Sequence, residues 1–176
     1  MTTLFGISGS LRKESTNTKL LRLAAAEFGA DKFIEGDINL PLYNGDIENG
    51  PGIPDSVQKL ADQIAAADAI IISTPEYNKA PSGSLKNALD WVSRTEGNPW
   101  KNKPLAIMSA AAGRAGGERT QFALRLMMMP FRPLILQGPE VLIADARNAF
   151  DEEGNLKNER SRTTLAELMD ELRKRL

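Results

Sequence analysis

Short apolar runs alternate with stretches of helical periodicity along the whole chain, and this alternation restricts the fold more than any other feature. The clearest run is Ala69–Ser73 (Ala-Ile-Ile-Ile-Ser), which is continuous and rich in β-branched side chains. Such a run is typical of a parallel strand that is covered on both faces. Strands that alternate with helices predict an α/β fold, in which a parallel sheet with right-handed crossovers carries helices on both faces.

The same patterns predict the remaining elements. The other strands are predicted at Leu4–Ile7, Lys32–Ile38, Leu105–Ala110 and a fifth region that Phe131–Leu136 and Val141–Ile143 share around Gly138-Pro139. Helices are predicted at Asn17–Phe28, from Pro54 through Ala65, and at Leu85–Arg94, Gly116–Met128 and Ser161–Leu176, with a loop over Asn39–Gly52. No repeat or linker divides the chain, so we expect one domain over residues 1–176.

The chain contains no histidine and no cysteine. Zinc sites with imidazole or thiolate ligands, Ser–His triads and cysteine nucleophiles are therefore excluded, and we expect no metal site and chemistry carried by a bound cofactor. The 22 Lys and Arg residues nearly balance the 23 Asp and Glu residues, so no overall field favours nucleic acid or an acidic membrane. No apolar run reaches the about 20 residues that span a bilayer, and no signal-type segment opens the chain, which predicts a cytoplasmic protein.

The loop after the first predicted strand, Ser8–Thr18, leads directly into a helix. It is not the dinucleotide fingerprint, because the third glycine is missing, and it is not a P-loop, because no G-K-[ST] closes it. Backbone N–H groups at a helix start and nearby hydroxyls suit a phosphate, although an N-cap with a turn would use the same residue types. The candidate donors are Ser8, Ser10, Arg12, Ser15, Thr16 and Thr18.

Two more loops of unusual composition follow predicted strands. Thr74–Ser84 contains two prolines, which stiffen it, so that it either presents its polar groups to a flat heteroaromatic or simply connects two elements with Tyr77 on the surface. Ser109–Gly117 is built of small residues that let a ring approach the backbone, or it is a plain glycine turn. Because ligands of parallel sheets bind beyond the carboxyl ends of the strands, we expect all three loops at one site.

In combination these loops resemble the NAD(P)H-dependent FMN reductases of the flavodoxin-like superfamily, a group that includes bacterial quinone, azo-dye and chromate reductases. The resemblance rests, in chain order, on Gly9-Ser-Leu-Arg-Lys-Glu-Ser-Thr-Asn17, Pro75-Glu-Tyr-Asn78, Pro81–Trp91 and the Ser109–Gly117 loop. It implies a flavodoxin-like three-layer sandwich with a five-stranded parallel sheet of order 2-1-3-4-5.

The resemblance also implies the cofactor, the site residues and the assembly. FMN is the cofactor, NADPH or NADH is the co-substrate, and the assembly is a homodimer or homotetramer with flavin sites near the subunit boundary. Helix Leu85–Arg94 with Trp91 is a candidate contact, although Trp91 packing within its own chain is equally compatible. The implied FMN-binding residues are Ser10, Arg12, Ser15, Thr16, Asn17 and Thr18 at the phosphate, Pro75, Glu76, Tyr77 and Asn78 along the isoalloxazine, and Ser109 and Gly113 beside the ring.

The implied reaction is ping-pong hydride transfer from NAD(P)H to FMN and then to a quinone, azo compound, flavin or metal oxyanion such as chromate, with no catalytic side chain. One alternative is a flavodoxin, an electron carrier that binds FMN and does not react with nicotinamides. Another is a flavin-free receiver-like domain, which would need an acidic cluster where this chain has Ser73-Thr74-Pro75. The preference between NADH and NADPH stays open at this point.

Overall fold

The computed structural model describes residues 1–176, and its strands form one sheet with the order β2-β1-β3-β4-β5. Every paired strand is parallel to its neighbour, and a sixth strand, β6, also pairs with β4. The predicted α/β class, the parallel sheet and the strand order are confirmed. The strands are β1 (Thr3–Ser8), β2 (Lys32–Gly36), β3 (Ala69–Thr74), β4 (Pro104–Ala110), β5 (Leu134–Ile135) and β6 (Val141–Ile143).

The predicted fifth strand is divided into two, so the sheet has six strands instead of five. β5 pairs with the beginning of β4, where Leu134 lies opposite Pro104, and β6 pairs with the end of β4, where Val141 lies opposite Met108. Between them the chain leaves the sheet through Gly138-Pro139, a cis peptide bond. The seven residues of β4 are long enough to pair with two short strands in succession.

The helices lie close to their predicted positions, with ends that differ by a few residues. Ser15, Ser82 and Asn158 act as N-caps whose side chains accept a hydrogen bond from the first turn. The predicted loop Asn39–Gly52 contains one short helix, which is too brief to show a periodic pattern. The helices are α1 (Thr16–Phe28), α2 (Gly45–Asn49), α3 (Asp55–Ala66), α4 (Gly83–Val92), α5 (Glu118–Met128) and α6 (Glu159–Arg173).

Two apolar clusters cover the two faces of the sheet. Ile71 of β3 packs in the cluster that α1 and α6 close, whereas Ile70 and Ile72 pack in the cluster that α3, α4 and α5 close. Successive side chains of a strand point to opposite faces, so a strand between two helical layers must be apolar at every position. This confirms the interpretation of the Ala69–Ser73 run. No helix combines the length and the apolar character needed to cross a bilayer.

The loop that follows β2 covers α4 on the outside of the molecule. Trp91 of α4 is fully buried, its indole N–H donates to the carbonyl of Pro41 at 2.7 Å, and the ring of Tyr43 meets it edge-on at a centroid distance of 5.0 Å. The side chain of Asn87 also binds this loop, through the carbonyl of Pro41 and the N–H of Tyr43. Trp91 therefore packs within its own chain and offers no surface to a second subunit.

Candidate functional site

The three unusual loops meet at one edge of the sheet, as the sequence predicts. In the strand register Ser8 of β1 lies opposite Ser73 of β3, and Thr74 of β3 lies opposite Ser109 of β4. The first loop is also bound directly to the end of β3, since the N–H of Gly9 donates to the carbonyl of Ser73 at 2.8 Å. The carboxyl ends of three neighbouring strands thus place the loops side by side, where parallel sheets bind their ligands.

The first loop leaves backbone donors free at the start of α1. Ser15 caps the helix by accepting a hydrogen bond from the N–H of Thr18, so the N-cap interpretation is correct for this residue. The N–H groups of Thr16 and Asn17, the first two of the helix, have no acceptor within the protein. Free N–H groups at a helix start carry the positive end of the peptide dipole and suit an anion.

Hydroxyl and cationic side chains surround these backbone donors. The hydroxyl of Ser10 receives the N–H of Arg12 at 3.4 Å, which leaves its own proton free to donate. The hydroxyl of Thr18 instead donates to Ser8 at 2.8 Å. A cavity of about 330 Å³ beside the loop is lined by Ser8, Ser10, Arg12, Lys13 and Thr18, together with residues of β2 and the segment after it.

The two arginines at this cavity differ in their availability. Arg22 binds both carboxylate oxygens of Glu35, at 2.9 and 3.2 Å, and this hydrogen bonding raises the pKa of its guanidinium. Arg12 is exposed and forms no ion pair with the chain. A guanidinium can bind two oxygens of a phosphate at once, so Arg12 is the arginine of this cavity that is available to an anion.

Asn17 occupies a different environment from the other predicted phosphate ligands. Its side chain is only 2% exposed, and both atoms of its amide group bind the protein. The Nδ2 group donates to the carbonyl of Ala110 at 2.9 Å, and the Oδ1 atom accepts from the hydroxyl of Ser73 and the N–H of Ala110. The side chain of this predicted phosphate ligand therefore joins α1 to the ends of β3 and β4.

The second loop contains a tight turn that presents Tyr77. The N–H and carbonyl of Tyr77 pair with those of Ala80, and the two residues between them, Asn78 and Lys79, have φ of 52° and 67°. Positive φ at both central positions is the signature of a type I′ turn, and asparagine tolerates it better than most residues. The ring of Tyr77 is 49% exposed at the base of this turn.

The beginning of the second loop is bound to the first turn of α5. A carboxylate oxygen of Glu76 accepts the N–H of Thr120 at 3.3 Å, and the hydroxyl of Thr120 donates to the carbonyl of Pro75 at 3.1 Å. The N-cap of α5 is Gly117, which has no side chain that could accept a hydrogen bond from the first turn, so Glu76 provides the acceptor instead. The carboxylate of Glu76 therefore points to the start of α5, and only the backbone of this residue is left for the predicted contact with a flat ring.

The third loop is held in shape by Ser109 and two glycines. The hydroxyl of Ser109 donates to the carbonyl of Gly116 at 2.6 Å and accepts from the amide of Gln121 at 2.9 Å. Gly116 and Gly117 both have positive φ. Gly113 lies in open space, where an added Cβ would meet no atom within 4 Å. The loop is thus more than a plain turn. The buried hydroxyl of Ser109 holds it by hydrogen bonds, whereas Gly113 lies on the side of the loop where no other part of the protein is in contact.

Sequence reasoning missed two residues that assemble the site. Ser82 donates its hydroxyl to the carbonyl of Gly9 at 2.5 Å while capping α4, which binds the second loop to the first. The Pro-Ser-Gly sequence before a helix could have indicated the cap, although not its distant partner. Thr120 binds Pro75 and Glu76 from the first turn of α5, and no local pattern signals that contact.

The donors at this sheet edge suit a phosphorylated flavin. The first loop supplies two free N–H groups, hydroxyls and an unpaired arginine for a phosphate. The second and third loops supply the backbone N–H groups of Glu76, Asn78 and Gly113, which have no acceptor within the protein, for the polar edge of a flat ring. The donors therefore fall into two groups on adjoining loops, which are called the phosphate pole and the ring pole after the parts of a ligand that they would suit.

Several known proteins are similar to this chain over most of its length. The family described as NADPH-dependent FMN reductase matches residues 2–148. An NAD(P)H-dependent FMN reductase of Pseudomonas aeruginosa is 42% identical over 173 residues, which cover 96% of this chain and 92% of that protein. A quinone reductase of Escherichia coli strain K12 is 36% identical over 147 residues, covering 81% and 78%.

A solved structure extends the similarity to the fold of nearly the whole chain. The flavoenzyme NAD(P)H:(acceptor) oxidoreductase FerB of Paracoccus denitrificans superposes with a TM-score of 0.87 at 32% identity, covering 98% of this chain and 95% of that one. An azoreductase of Bacillus anthracis superposes with a TM-score of 0.65 at 20% identity, which shows a shared fold alone.

Proposed function

The chain belongs to the NADPH-dependent FMN reductase family, and on this premise we propose that it passes reducing equivalents from NAD(P)H to quinones by a ping-pong mechanism. Family membership makes it an oxidoreductase with FMN as its flavin and NAD(P)H as its co-substrate, so the carrier and receiver-like alternatives are set aside. We also propose that residues 1–176 act as one FMN-binding domain, because the five longer helices pack on the two faces of one sheet.

The proposed phosphate anchor is the first loop with the start of α1. The N–H groups of Thr16 and Asn17 and the hydroxyls of Ser10 and Ser15 would donate to phosphate oxygens, and Arg12 would bind two of them. Thr18 would contribute less than the sequence suggests, because its hydroxyl donates to Ser8. The free N–H groups are the observation that carries this assignment.

The proposed ring site lies between the second and third loops. Pro75–Asn78 would line one side, with the free N–H groups of Glu76 and Asn78 directed to the polar edge of the isoalloxazine, and Gly113 would border the other side. Ser109 would support that loop without contacting the ring, since its hydroxyl is used within the protein. N–H donors near the ring would stabilise negative charge that develops on it during reduction.

When bound at this site, FMN would supply two-electron chemistry between NAD(P)H and an acceptor. The chain itself supplies orientation and electrostatics, and we assign no side chain a proton-transfer role, in keeping with the lack of histidine and cysteine. Tyr77, exposed at the base of its turn, would pack against a planar nicotinamide or quinone over the ring. An open site of this kind would also admit azo compounds, free flavins or chromate.

The experiment that tests this function is anaerobic mixing of the FMN-loaded protein first with NADPH or NADH and then with a quinone. We expect rapid bleaching of the flavin absorbance by at least one nicotinamide and its recovery with the quinone. Steady-state rates at several fixed quinone concentrations should give parallel double-reciprocal lines, as two separate half-reactions require. Failure of both nicotinamides to bleach the flavin would refute the proposed reaction, and converging lines would refute its ping-pong order.

We propose in addition that the protein forms a homodimer or homotetramer through the outer face of α5. Phe122, Leu126 and Met129 recur at helical spacing and are 54%, 68% and 67% exposed, which makes a continuous apolar row on this helix and the turn after it. α5 begins beside the second loop, so a second copy on this row would lie near the flavin site. Leu126→Glu should yield a monomer by light scattering, and an unchanged mass would refute this surface.

A further inference from the structure

The buried amide of Asn17 makes contacts that a phosphate ligand would not make. Its Oδ1 atom accepts from the N–H of Ala110 at 3.0 Å while its Nδ2 group donates to the carbonyl of the same residue at 2.9 Å. The amide group of Asn17 therefore binds both backbone groups of Ala110, as the backbone of a paired strand does. A second acceptor position of Oδ1 is filled by the hydroxyl of Ser73 at 2.9 Å. Three of the four hydrogen-bonding positions of this amide are thus used within the protein.

These contacts connect the phosphate pole to the ring pole. Asn17 is the second residue of α1 and lies near the end of the first loop, whereas Ala110 is the last residue of β4 and lies near the start of the third loop. Ser73 in turn receives the N–H of Gly9 on its carbonyl. Through one side chain, the start of α1 therefore sets the position from which the third loop leaves the sheet.

We propose that Asn17 is a positioning residue that holds the third loop in place for the isoalloxazine, and that its side chain does not bind the phosphate. The inference rests on the proposed FMN site and deepens it. The backbone N–H of Asn17 is free and belongs to the phosphate pole, and it survives any side-chain substitution. Loss of the side chain leaves the N–H and carbonyl of Ala110 and the hydroxyl of Ser73 buried without a partner, so the third loop must shift to find new ones.

Comparison of FMN with riboflavin separates the two roles, because riboflavin has the same ring and no phosphate. A residue that binds the phosphate must weaken FMN more than riboflavin when it is removed, whereas a residue that positions the ring site must weaken both by the same factor. We would measure FMN affinity by fluorescence quenching and riboflavin affinity by displacement of FMN. The variants are Asn17→Ala, the milder Ser73→Ala, which removes one bond of the same network, and Arg12→Ala, which alters the phosphate pole.

We expect Asn17→Ala to weaken FMN and riboflavin alike by about tenfold and Ser73→Ala to weaken both by about threefold, as expected for buried hydrogen-bonding groups that lose a partner. Both variants should also shift the visible absorption spectrum of bound FMN, because the surroundings of the ring change. Ile64→Val, a core truncation in α3, is the control for lowered stability, and it should change neither affinity nor spectrum at a temperature where all variants are folded.

The outcomes distinguish failure of this inference from failure of the proposed function. If Asn17→Ala weakens FMN and leaves riboflavin unchanged, the side chain is a phosphate ligand and the inference is overturned. If the spectrum of FMN bound to Asn17→Ala matches that of the unmodified protein, the side chain does not position the ring site, and the inference is overturned as well. If Asn17→Ala does not fold, Ser73→Ala decides by the same two criteria. If Arg12→Ala weakens FMN no more than riboflavin, the phosphate assignment fails instead, and if the unmodified protein binds no flavin, the proposed function fails.

Discussion

Replacement of Gly116 by alanine should displace the third loop and lower the free energy of unfolding. Gly116 has φ of +61°, and a Cβ there would lie 2.6 Å from the carbonyl carbon of Leu142 and 2.9 Å from the nitrogen of Ile143. Both atoms are backbone of β6, which is paired with β4 and cannot give way as a flexible side chain could. Movement of the loop by roughly 0.8 Å would be needed to restore ordinary van der Waals separation.

Two separate effects contribute to the destabilisation. The left-handed backbone conformation costs a residue with a Cβ about 1–2 kcal/mol. Overpacking against a fixed neighbour adds about 1–3 kcal/mol. We therefore expect Gly116→Ala to lower the free energy of unfolding by about 2–5 kcal/mol, a large share of the about 5–15 kcal/mol that holds a typical domain together. Because the loop borders the proposed ring site, FMN affinity should fall as well.

Urea unfolding with and without FMN measures this effect, and Gly113→Ala is the matched control from the same loop. Gly113 has no positive φ, and its Cβ would meet no atom within 4 Å. Its replacement should therefore change the free energy of unfolding by less than about 0.5 kcal/mol. If Gly116→Ala is as stable as Gly113→Ala, a Cβ at position 116 does not clash with the backbone of β6. That result would refute the expected destabilisation.

Two further predictions concern carboxylates. Glu76→Ala should lower the free energy of unfolding, measured in urea, by about 0.5–1.5 kcal/mol, because the N–H of Thr120 loses its acceptor and the start of α5 loses a negative charge. Glu76→Gln keeps an acceptor for this N–H, so it should lose less of the free energy of unfolding than Glu76→Ala does. Hydrogen bonds from Tyr43 and Arg94 lower the pKa of Glu48 in the folded protein. The ionised Glu48 carboxylate therefore stabilises the fold fully above the ordinary pKa of glutamate, about 4.3. This stabilisation disappears as the pH falls through the lower pKa of the folded state. The stability difference between the unmodified protein and Glu48→Gln should accordingly narrow on acidification, and a constant difference would contradict this assignment.

The larger features of the fold follow from local patterns that the sequence displays. The Ala69–Ser73 run predicts a central strand because every residue is apolar or small, and the structure places Ile70, Ile71 and Ile72 in the cores on both faces. The division of the fifth strand could not be predicted in this way. Residues 134–135 and 141–143 are too short to show a period, and only the length of β4 decides that both pair with it.

The candidate site likewise has features that could be predicted from the sequence and features that could not. The meeting of the three loops could be predicted, because carboxyl ends of parallel strands share one edge and all three loops follow such strands. The direction of individual side chains could not. Asn17 and Glu76 both belong to motifs that suggest a ligand, yet Asn17 binds Ala110, 93 residues away, and Glu76 binds Thr120, 44 residues away.

The sequence by itself determined the layers of this protein, the order of its elements and the sheet edge at which the three unusual loops meet, because periodicity and loop composition are local properties. Only the tertiary structure decided which polar groups of that edge remain free for a ligand and which are used to hold the loops together. A buried polar group must find a partner, and the partner is set by whichever segment the fold brings beside it. At the start of α1 the backbone N–H of Asn17 stays free while its side chain is used within the protein.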